Sequence, residues 1–455
     1  MRTPRSSSPA PRRKSELPPT PPLPGIVQTL ACRWMPLNVF EWCRRHNGDR
    51  FTLYPVDMAP VVFLSDPDDV RSVLHAPESV LHPGAGGAAI SPIVGEHSFM
   101  LREADEHMIG RKAILPAFSA SAIESHIAMV NATATREVAS WPMDSPFAVH
   151  ERLRSMSLSI ILRTVFQHER AELAALHQHM LAMLDVTASF VLIEPRLRRL
   201  PVWRGIWRRF IKDRELVDRE IHTLVRSGRT TDSGSGVLDK LLAARDTDGS
   251  PMTDGQLRDN LVSVILAGHE TTASQLAWAL QLLAHHPEAQ ERLAVEILTG
   301  DGEGYLMATI HEVLRHRPVF LFAIPRVVAK PIVIGGWTYR PPTQLLACIY
   351  LVQHDPNVHS EPDEFRPERF LGASPAPAGY LPWGGGRKRC PGHRLATLEM
   401  QALLRATLAT RTIRPAARRP ERARWRSVIV TPRHGGRLVL SQRPTADQTA
   451  SRVPR

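Results

Sequence analysis

The stretch Trp383-Gly384-Gly385-Gly386-Arg387-Lys388-Arg389-Cys390-Pro391-Gly392 contains one of the four cysteines of this 455-residue chain. Glycines on both sides of Cys390 allow a tight turn and a close approach of the backbone to a bound group. The three basic residues before Cys390, and the helix predicted after Pro391, should lower the pKa of its thiol. A thiolate presented in this way can ligate a metal, and we therefore predict a metal site at Cys390.

Two other interpretations of this stretch stay open on the residues alone. Cys390 also fits a small buried side chain beside a tight turn. The glycines before Arg387 and Lys388 suit a phosphate, but the GxxxxGK pattern followed by Ser or Thr is not matched and no strong strand precedes them. The cysteines form no C-x-x-C pair and are too few for a disulfide scaffold, which excludes a zinc ribbon and a small secreted domain.

A long helix is predicted upstream of this stretch. Thr253 and Gln256 form a capping-box pattern, and Pro287 stops the helix after His286. Its middle, Leu261–Gly268, is almost entirely apolar. Because a helix that is apolar all round must be buried, we predict that it crosses the centre of the domain.

The same helix carries Ala267-Gly268-His269-Glu270-Thr271-Thr272. Thr271 can donate to the carbonyl of Ala267 and open the helix locally, which makes room for a small molecule beside Gly268. An acid next to an alcohol, here Glu270 and Thr271, can relay protons. A satisfied internal polar patch explains the same residues equally well.

Three further segments carry little information when each is taken singly. Glu312 and Arg315 share a helix face, but E-x-x-R occurs four times in the chain. Pro367–Phe370 lies in a long irregular stretch. His107 and Arg111 are spaced i, i+4 on one helical face, where a solvated pair is the ordinary explanation.

Together, in this order, the segments resemble the cytochrome P-450 family, the haem-thiolate monooxygenases, from about residue 24 to residue 441. The resemblance implies a mainly α-helical fold with small β-sheets, in one large domain with the long central helix over the haem. It implies haem b (iron protoporphyrin IX) as cofactor and Cys390 as the proximal thiolate ligand of its iron. We predict this domain at residues 27–441, with disordered tails at 1–26 and 442–455.

The other site residues are carried over from the family's motifs. Glu270 and Thr271 match the acid and alcohol that handle dioxygen and its protons on the distal side. The residues that match cofactor contacts are His107, Arg111, Ala267, Gly268, Arg326, Trp383, Gly384, Gly386, Lys388 and Gly392.

Three residues match a triad of the family, and two positions depart from its usual pattern. Glu312, Arg315 and Arg369 match a structural triad to which we assign no chemistry. Trp383 stands where the family usually has Phe, and it should still shield the sulfur. Lys388 stands where Arg is commoner, and it can pair with a haem propionate only as a point charge.

The resemblance implies insertion of one oxygen atom of dioxygen into a lipophilic small-molecule substrate. The chain leaves no room for a flavin or iron–sulfur domain and shows no G-x-G-x-x-G fingerprint, so electrons should come from a ferredoxin- or flavodoxin-type donor with its reductase. Arg387, Lys388, Arg389 and Arg394 are the expected docking face. Oxidative coupling, desaturation or peroxide-driven oxidation by a haem-thiolate enzyme is the alternative, and a basic nucleic-acid-binding or haem-sensing protein is a more distant one.

The composition of the chain indicates where the protein is located and which partners suit its charge. The 57 Lys+Arg against 45 Asp+Glu give a formal charge of +12, which favours acidic partners, nucleic acid or anionic membrane. No run of about 18 apolar residues is present, so we expect no transmembrane helix. The few cysteines favour the reducing cytosol. With the family resemblance, we expect a soluble, cytoplasmic monomer without a nucleic-acid partner. A transit peptide stays an alternative for the Arg/Ser-rich start. The basic stretch Arg196–Arg214 suits a membrane surface, a cover over a cavity, or an ordinary amphipathic helix.

Residue patterns also predict individual elements. The predicted strands are Phe51–Val56 and Val61–Leu64, which form a hairpin, and Ile332–Ile334, Leu345–Leu351, Ser427–Thr431 and Arg437–Ser441. One predicted helix begins at Asp66, a second covers Pro287–Gly300, and a third covers residues 304–316.

Overall fold

The fold is mainly α-helical, with strands confined to small sheets. The computed structural model of the chain describes residues 17–56, 58–168, 171–187, 200–229, 236–245, 249–372 and 379–443. The helices in these ranges are α1 (Gly25–Trp34), α2 (Pro36–Asn47), α3 (Pro67–His75), α4 (Pro83–Gly86), α5 (Ser91–Val94), α6 (Ala104–Ile114), α7 (Ala120–Glu124), α8 (Ile127–Ala139), α9 (His150–Phe166), α10 (Ala174–Thr187), α11 (Pro201–Gly228), α12 (Val237–Ala243), α13 (Asp254–His285), α14 (Pro287–Thr299), α15 (Gly304–His316), α16 (Ile349–Gln353) and α17 (His393–Leu408). The strands are β1 (Arg50–Leu53), β2 (Val61–Leu64), β3 (Leu81–His82), β4 (Phe147–Ala148), β5 (Arg326–Val328), β6 (Ile332–Ile334), β7 (Trp337–Tyr339), β8 (Gln344–Ala347), β9 (Arg411–Pro415), β10 (Ala423–Arg426), β11 (Ile429–Pro432) and β12 (Arg437–Gln442).

Helix α13 lies in the interior, as its apolar middle predicts. The Oγ1 of Thr253 accepts a hydrogen bond from the N–H of Gln256 (3.2 Å), and the Gln256 side chain accepts one from the N–H of Thr253 (2.8 Å). This reciprocal pair fixes the start of the helix. Pro287 opens α14 immediately afterwards. Both predicted ends, and the predicted α14 and α15, are confirmed.

Helices pack around α13 in a second layer. Helix α9 lies along it, α10 pairs with α11, and α17 packs on α8. The first turns of α11 bury Phe210 and leave Arg204 and Arg208 exposed. The described part of the basic stretch is therefore an amphipathic helix on the core, whereas Arg196, which opens that stretch, lies outside the described residues.

The largest sheet has the order β1-β2-β8-β5-β3, in which β2 and β8 are parallel and the other pairs antiparallel. The predicted hairpin and the helix after Asp66 are confirmed, and the Asp66 carboxylate caps α3. The predicted strand Leu345–Leu351 is wrong in its second half, because α16 begins at Ile349. A short apolar run that is buried on all sides has no periodicity that separates strand from helix.

In the described part of the chain, three small sheets complete the fold. Strands β4, β12 and β9 form one, β6 pairs with β7, and β10 pairs with β11. The predictions for Ile332–Ile334, Ser427–Thr431 and Arg437–Ser441 are confirmed as β6, β11 and β12. Strands β9 and β10 were not predicted, because the arginines of β9 fall on both of its faces and β10 is only four residues long.

A buried ion network joins α15 to the irregular stretch that follows α16. The carboxylate of Glu312 accepts from Arg315 (2.7 and 2.8 Å), from Arg369 Nε (3.0 Å) and from the backbone N–H of Arg366 (2.8 Å). Arg315 is fully buried and also donates to three backbone carbonyls. The structure thus brings Glu312, Arg315 and Arg369 together, as the resemblance implies.

The ends of the domain reach further than predicted. Thr52 donates to the carbonyls of Pro18 and Pro19 (both 2.8 Å), and Arg443 is buried and paired with Glu291 (2.8 Å). Residues 17–26 and 442–443 therefore belong to the folded part, because their polar groups bond to it. Residues 1–16 and 444–455 lie outside the described residues, so the predicted tails stay predictions there. Among the described helices, none is both long and apolar enough to cross a membrane.

Candidate active site

The loop before α17 turns sharply and presents Cys390. The N–H of Cys390 donates to the carbonyl of Trp383 (2.9 Å), which closes the loop. Gly384 and Gly386 have φ of 66° and 62°, and a Cβ on Gly386 would clash with the carbonyl oxygen of Leu74 on α3. Only glycine fits at that position. The loop is therefore held in one shape by a contact with another helix.

The prediction that the pKa of the Cys390 thiol is lowered is wrong for the protein without a bound metal. Burial raises the pKa of Cys390, and a hydrogen bond from the N–H of Gly392 with the charges of Arg111 and Arg389 offsets this only in part. The sequence showed the basic residues but not the depth of burial. A metal cation at the sulfur reverses the balance, since a coordinating thiol is deprotonated.

The middle of α13 is open on one side. Ala267 is exposed, and Leu266 and Thr271 are half-exposed, although the helix is buried on either side of them. Thr271 Oγ1 donates to the carbonyl of Ala267 (2.7 Å), as predicted. The helix nevertheless stays α-helical throughout, so the predicted local opening does not occur. The space beside it comes from the small side chain of Ala267.

Gly268 serves helix packing. A Cβ there would lie 2.8 Å from the side chain of Ile161 on α9, and the Gly268 carbonyl accepts from Ser157 Oγ (3.0 Å). The structure thus gives Gly268 a packing role toward α9, because its missing side chain faces that helix, and its predicted cofactor contact stays a prediction.

Glu270 belongs to a second buried ion network. Its carboxylate contacts Arg154 Nε on α9 (2.8 Å) and Arg426 Nε on β10 (2.7 Å). Asp185 on α10 contacts the same two arginines (2.6 and 3.2 Å). Burial alone would raise the pKa of Glu270, but His269, Arg154, Arg426 and His150 together outweigh it and lower the pKa to about 2.

Glu270 and Thr271 are therefore not joined directly. Neighbouring positions of a helix point about 100° apart, and the carboxylate of Glu270 turns to the arginines while the hydroxyl of Thr271 turns to Ala267. Arg154, Arg426 and Asp185 were missed from the sequence. The signal that could have found Arg154 is the E-x-x-R match at 151–154, since a buried carboxylate requires a cation.

A cavity next to the loop carries mostly positive charge. It has a volume of about 660 Å³, and its walls include Arg326 on β5, Lys388 and one acid, Glu78. Glu78 and Glu103 attract both cations without forming an ion pair with them. Burial lowers the pKa of Arg326 to about 10 and that of Lys388 to about 8. Arg326 donates to the carbonyl of Ile324 (2.7 Å) and Lys388 to that of Arg102 (2.8 Å).

Neither of these cations, nor Arg111 on α6, forms an ion pair within the described ranges. Burial also lowers the pKa of Arg111. His107, one turn before Arg111, bonds through Nδ1 to the carbonyl of Phe99 (2.8 Å) and packs against the Cys390 loop. Buried cations without a counterion suit a ligand that brings carboxylates. These residues therefore fit a porphyrin with two propionates.

A further buried acid, Glu399 on α17, was not singled out from the sequence. It is hydrogen-bonded to Ser157, whose hydroxyl donates to the carbonyl of Gly268. Burial raises the pKa of Glu399 from 4.5 to about 8. The acid is therefore protonated at neutral pH and links α17, α9 and α13.

Glu399 should make stability depend on pH. The folded chain keeps a proton that the unfolded chain releases near pH 4.5, so the stabilisation present below that pH is lost as the pH rises through about 8. We expect the free energy of unfolding of the wild type to fall by a few kcal/mol over this range relative to Glu399→Gln. Thermal unfolding of both proteins at about pH 5 and about pH 9 measures this difference. Glu124→Gln, at an exposed carboxylate, is the control. If the free energy of unfolding depended on pH equally in the wild type and in Glu399→Gln, the assignment would be contradicted.

A cysteine sulfur, a cationic pocket for carboxylates and an exposed stretch of the central helix together fit an iron porphyrin, and they define the class as that of the haem-thiolate enzymes. Comparison with known proteins gives the family. The model of the family described as Cytochrome P-450 matches residues 17–439, and the chain belongs to that family.

Relatives and solved structures agree with this assignment. Cytochrome P-450 135B1 of Mycobacterium tuberculosis is 32% identical over 443 residues, which cover 96% of this chain and 93% of that protein. Cytochrome P-450 137 of the same organism is 33% identical over 400 residues, with 87% and 83% covered. Cyanobacterial CYP120A1 with bound retinoic acid gives a TM-score of 0.81 at 20% identity over 94% of this chain and 99% of that chain.

The predicted family, fold class, reaction class and cofactor are confirmed by these findings. The chain is a haem-thiolate monooxygenase, an oxidoreductase that binds haem b. The roles of individual site residues stay proposals.

Proposed function

We propose that this monooxygenase inserts one atom of dioxygen into a lipophilic small molecule, with electrons from a separate ferredoxin- or flavodoxin-type protein and its reductase. The observation that carries the proposal is the exposure of α13 at Ala267. There the otherwise buried helix offers an apolar wall, Leu266 and Ala267, beside one hydroxyl, that of Thr271. A site of this kind binds an apolar molecule and places a single proton donor next to it.

The proposed haem contacts divide into one ligand and a set of anchors. The haem supplies the activation of oxygen, and the protein supplies orientation, protons and exclusion of water. Cys390 Sγ would hold the iron, with Trp383 packed on the core beside the loop. Arg111, Arg326 and Lys388 would hold the propionates, because their charges are buried and otherwise unpaired in the described structure.

Thr271 is proposed to hold a proton for oxygen activation. Its hydroxyl donates to the carbonyl of Ala267, and threonine in a helix has a second accessible χ1 rotamer in which the hydroxyl faces the opening. Glu270 is proposed as a positioning residue, which holds the charged side chains of Arg154 and Arg426 near this site. Since Arg154 and Arg426 keep it ionised, it does not act as a direct donor to Thr271.

The docking face for an electron donor is proposed around the same loop. Arg387, Arg389 and Arg394 are exposed next to Cys390. Lys388 was expected to share this face, but its ammonium group turns inward to the carbonyl of Arg102. Three arginines suit an acidic partner, whose association they would steer.

Thr271→Ala tests the oxygenation chemistry. We expect the amount of product per NAD(P)H consumed to fall about tenfold or more, since removal of a positioned proton donor commonly costs this much. The measurement compares NAD(P)H, product and hydrogen peroxide in a reconstituted system.

The matched control is Thr299→Ala on α14, where an exposed threonine also donates to the carbonyl four residues earlier (3.0 Å). Unchanged coupling in Thr271→Ala would remove Thr271 from the proton path. If hydrogen peroxide alone supports turnover of the wild type as fast as the reductase system, the peroxide-driven alternative is correct. Candidate substrates for both assays come from a screen of fatty acids, terpenoids, steroids and polyketides for shifts of the haem spin state.

A further inference from the structure

Helix α1 faces solvent with its apolar side. Trp34 is 70% exposed, Ile26 60% and Leu30 52%, and the three residues follow one another at intervals of four. Val27 is exposed beside them, whereas the polar Gln28 is buried and bonds to the backbone. This orientation is the reverse of that of an ordinary surface helix, whose apolar side faces the core.

The turn between β1 and β2 extends the apolar surface. Tyr54 N–H donates to the side chain of Gln28 (2.8 Å), and Val56 N–H donates to Thr29 Oγ1 (3.1 Å). The side chains of Tyr54, Val56 and Met58 are exposed. Helix α1 and this turn therefore lie side by side and both expose apolar side chains, which together we call the α1 face; Asp57, in the same turn, lies outside the described residues. It is defined by Leu23, Ile26, Val27, Leu30, Trp34, Met35, Tyr54, Val56 and Met58.

Positive charge borders the α1 face. Strand β10 packs against α1 through a hydrogen bond from Trp425 Nε1 to the carbonyl of Cys32 (2.8 Å). This contact brings Arg424 close to Arg33, whose pKa is lowered by burial and by the charge of Arg424. Helix α1 itself contains no acidic residue.

The adjoining sequence adds to this charge. The 16 residues before Leu17 contain Arg2, Arg5, Arg12, Arg13 and Lys14 against the single acid Glu16. An apolar face bordered by arginines and preceded by a basic segment combines the two signals that stable attachment to a bilayer surface needs.

We propose that the α1 face is a docking surface for an anionic lipid bilayer, which the protein contacts peripherally and does not span. Large aliphatic side chains and Trp34 and Tyr54 would enter the boundary between headgroups and acyl chains, where aromatic residues with a polar edge are favoured. The exposed Arg424 would contact lipid phosphates, and Arg33 would add its charge to the same border. A protein partner of acidic character would use the arginines but would not require so broad an apolar face.

Flotation of the full-length holoenzyme with vesicles tests the proposal. We expect binding to vesicles of phosphatidylcholine mixed with phosphatidylglycerol, and much weaker binding to phosphatidylcholine alone. The double variant Leu30→Glu/Trp34→Glu should lower the partition coefficient at least about tenfold. Arg33→Gln/Arg424→Gln should lower it about tenfold for the anionic vesicles only, and added salt should have the same effect.

Leu298→Glu is the matched control, because Leu298 on α14 is equally exposed (57%) but lies outside the α1 face, and its binding should equal that of the wild type. Near-ultraviolet circular dichroism and melting temperature verify that the variants are folded. Absence of wild-type binding to anionic vesicles, or full binding by Leu30→Glu/Trp34→Glu, overturns the proposal. A dimer in sedimentation velocity that Leu30→Glu/Trp34→Glu dissociates overturns it as well, since a second copy would then cover the α1 face.

Discussion

Cys390→Ala is expected to abolish the thiolate-shifted Soret band of the ferrous carbonyl complex and to lower oxygenation at least a hundredfold. The sulfur lies at the end of a loop closed by the bond from Cys390 N–H to the Trp383 carbonyl, and alanine keeps that bond while it removes the sulfur. Loss of a group that merely orients a metal ligand already lowers metal affinity or activity about 10–100-fold, and loss of the ligand itself should lower it further. Absorption spectra of the reduced, carbonyl-bound protein and product formation provide the two measurements.

Cys32→Ala is the control for Cys390→Ala. Cys32 lies on α1 and is half-buried, so its removal should leave the spectrum unchanged. A thiolate-type spectrum that persists in Cys390→Ala would contradict the ligand assignment and the proposed role of the whole loop.

Glu312→Ala is expected to have the largest effect on stability. It removes the carboxylate partner of Arg315, which is fully buried and cannot regain water. Breaking a buried pair by removal of one partner costs about 3–5 kcal/mol, because an uncompensated charge remains. The free energy of unfolding from urea titration measures the loss, and we expect little folded holoenzyme to accumulate.

The control for Glu312→Ala is Glu368→Ala, which lies in the same region. Glu368 is exposed, pairs with Arg292 (3.1 Å) and accepts a hydrogen bond from Tyr305 (2.9 Å). An exposed pair and one hydrogen bond together contribute about 1–2 kcal/mol. If Glu312→Ala were as stable as Glu368→Ala, the network would not hold α15 to the irregular stretch in the way described.

The parts of the fold that were predictable from sequence carry local signals. Thr253 and Gln256 mark the start of α13 within four residues, and Pro287 marks its end. Strand β8 was mistaken for a longer strand because the buried apolar run that continues into α16 has no periodicity that separates a strand from a helix. Strand β9 was missed because its arginines fall on both of its faces, and β10 because four residues are too few for a clear alternation.

The residues of the site likewise divide into those that a local sequence pattern predicts and those that only the fold brings together. The turn around Cys390 was visible because glycines, a cysteine and a proline stand together. The partners of Glu270 were not, since Arg154 lies 116 residues away and reaches it only when α9 packs on α13. The pKa of Cys390 was misjudged for a related reason, because neighbouring charges can be read from the sequence whereas burial depends on the whole fold.

The buried cations of the cavity also bear on how the protein is made. Arg111, Arg326 and Lys388 are each desolvated, and none of them forms an ion pair in the described part of the chain. A carboxylate ligand that neutralises them in the folded state shifts the folding equilibrium toward that state by mass action. We therefore expect the yield of folded protein during expression to rise with the supply of porphyrin.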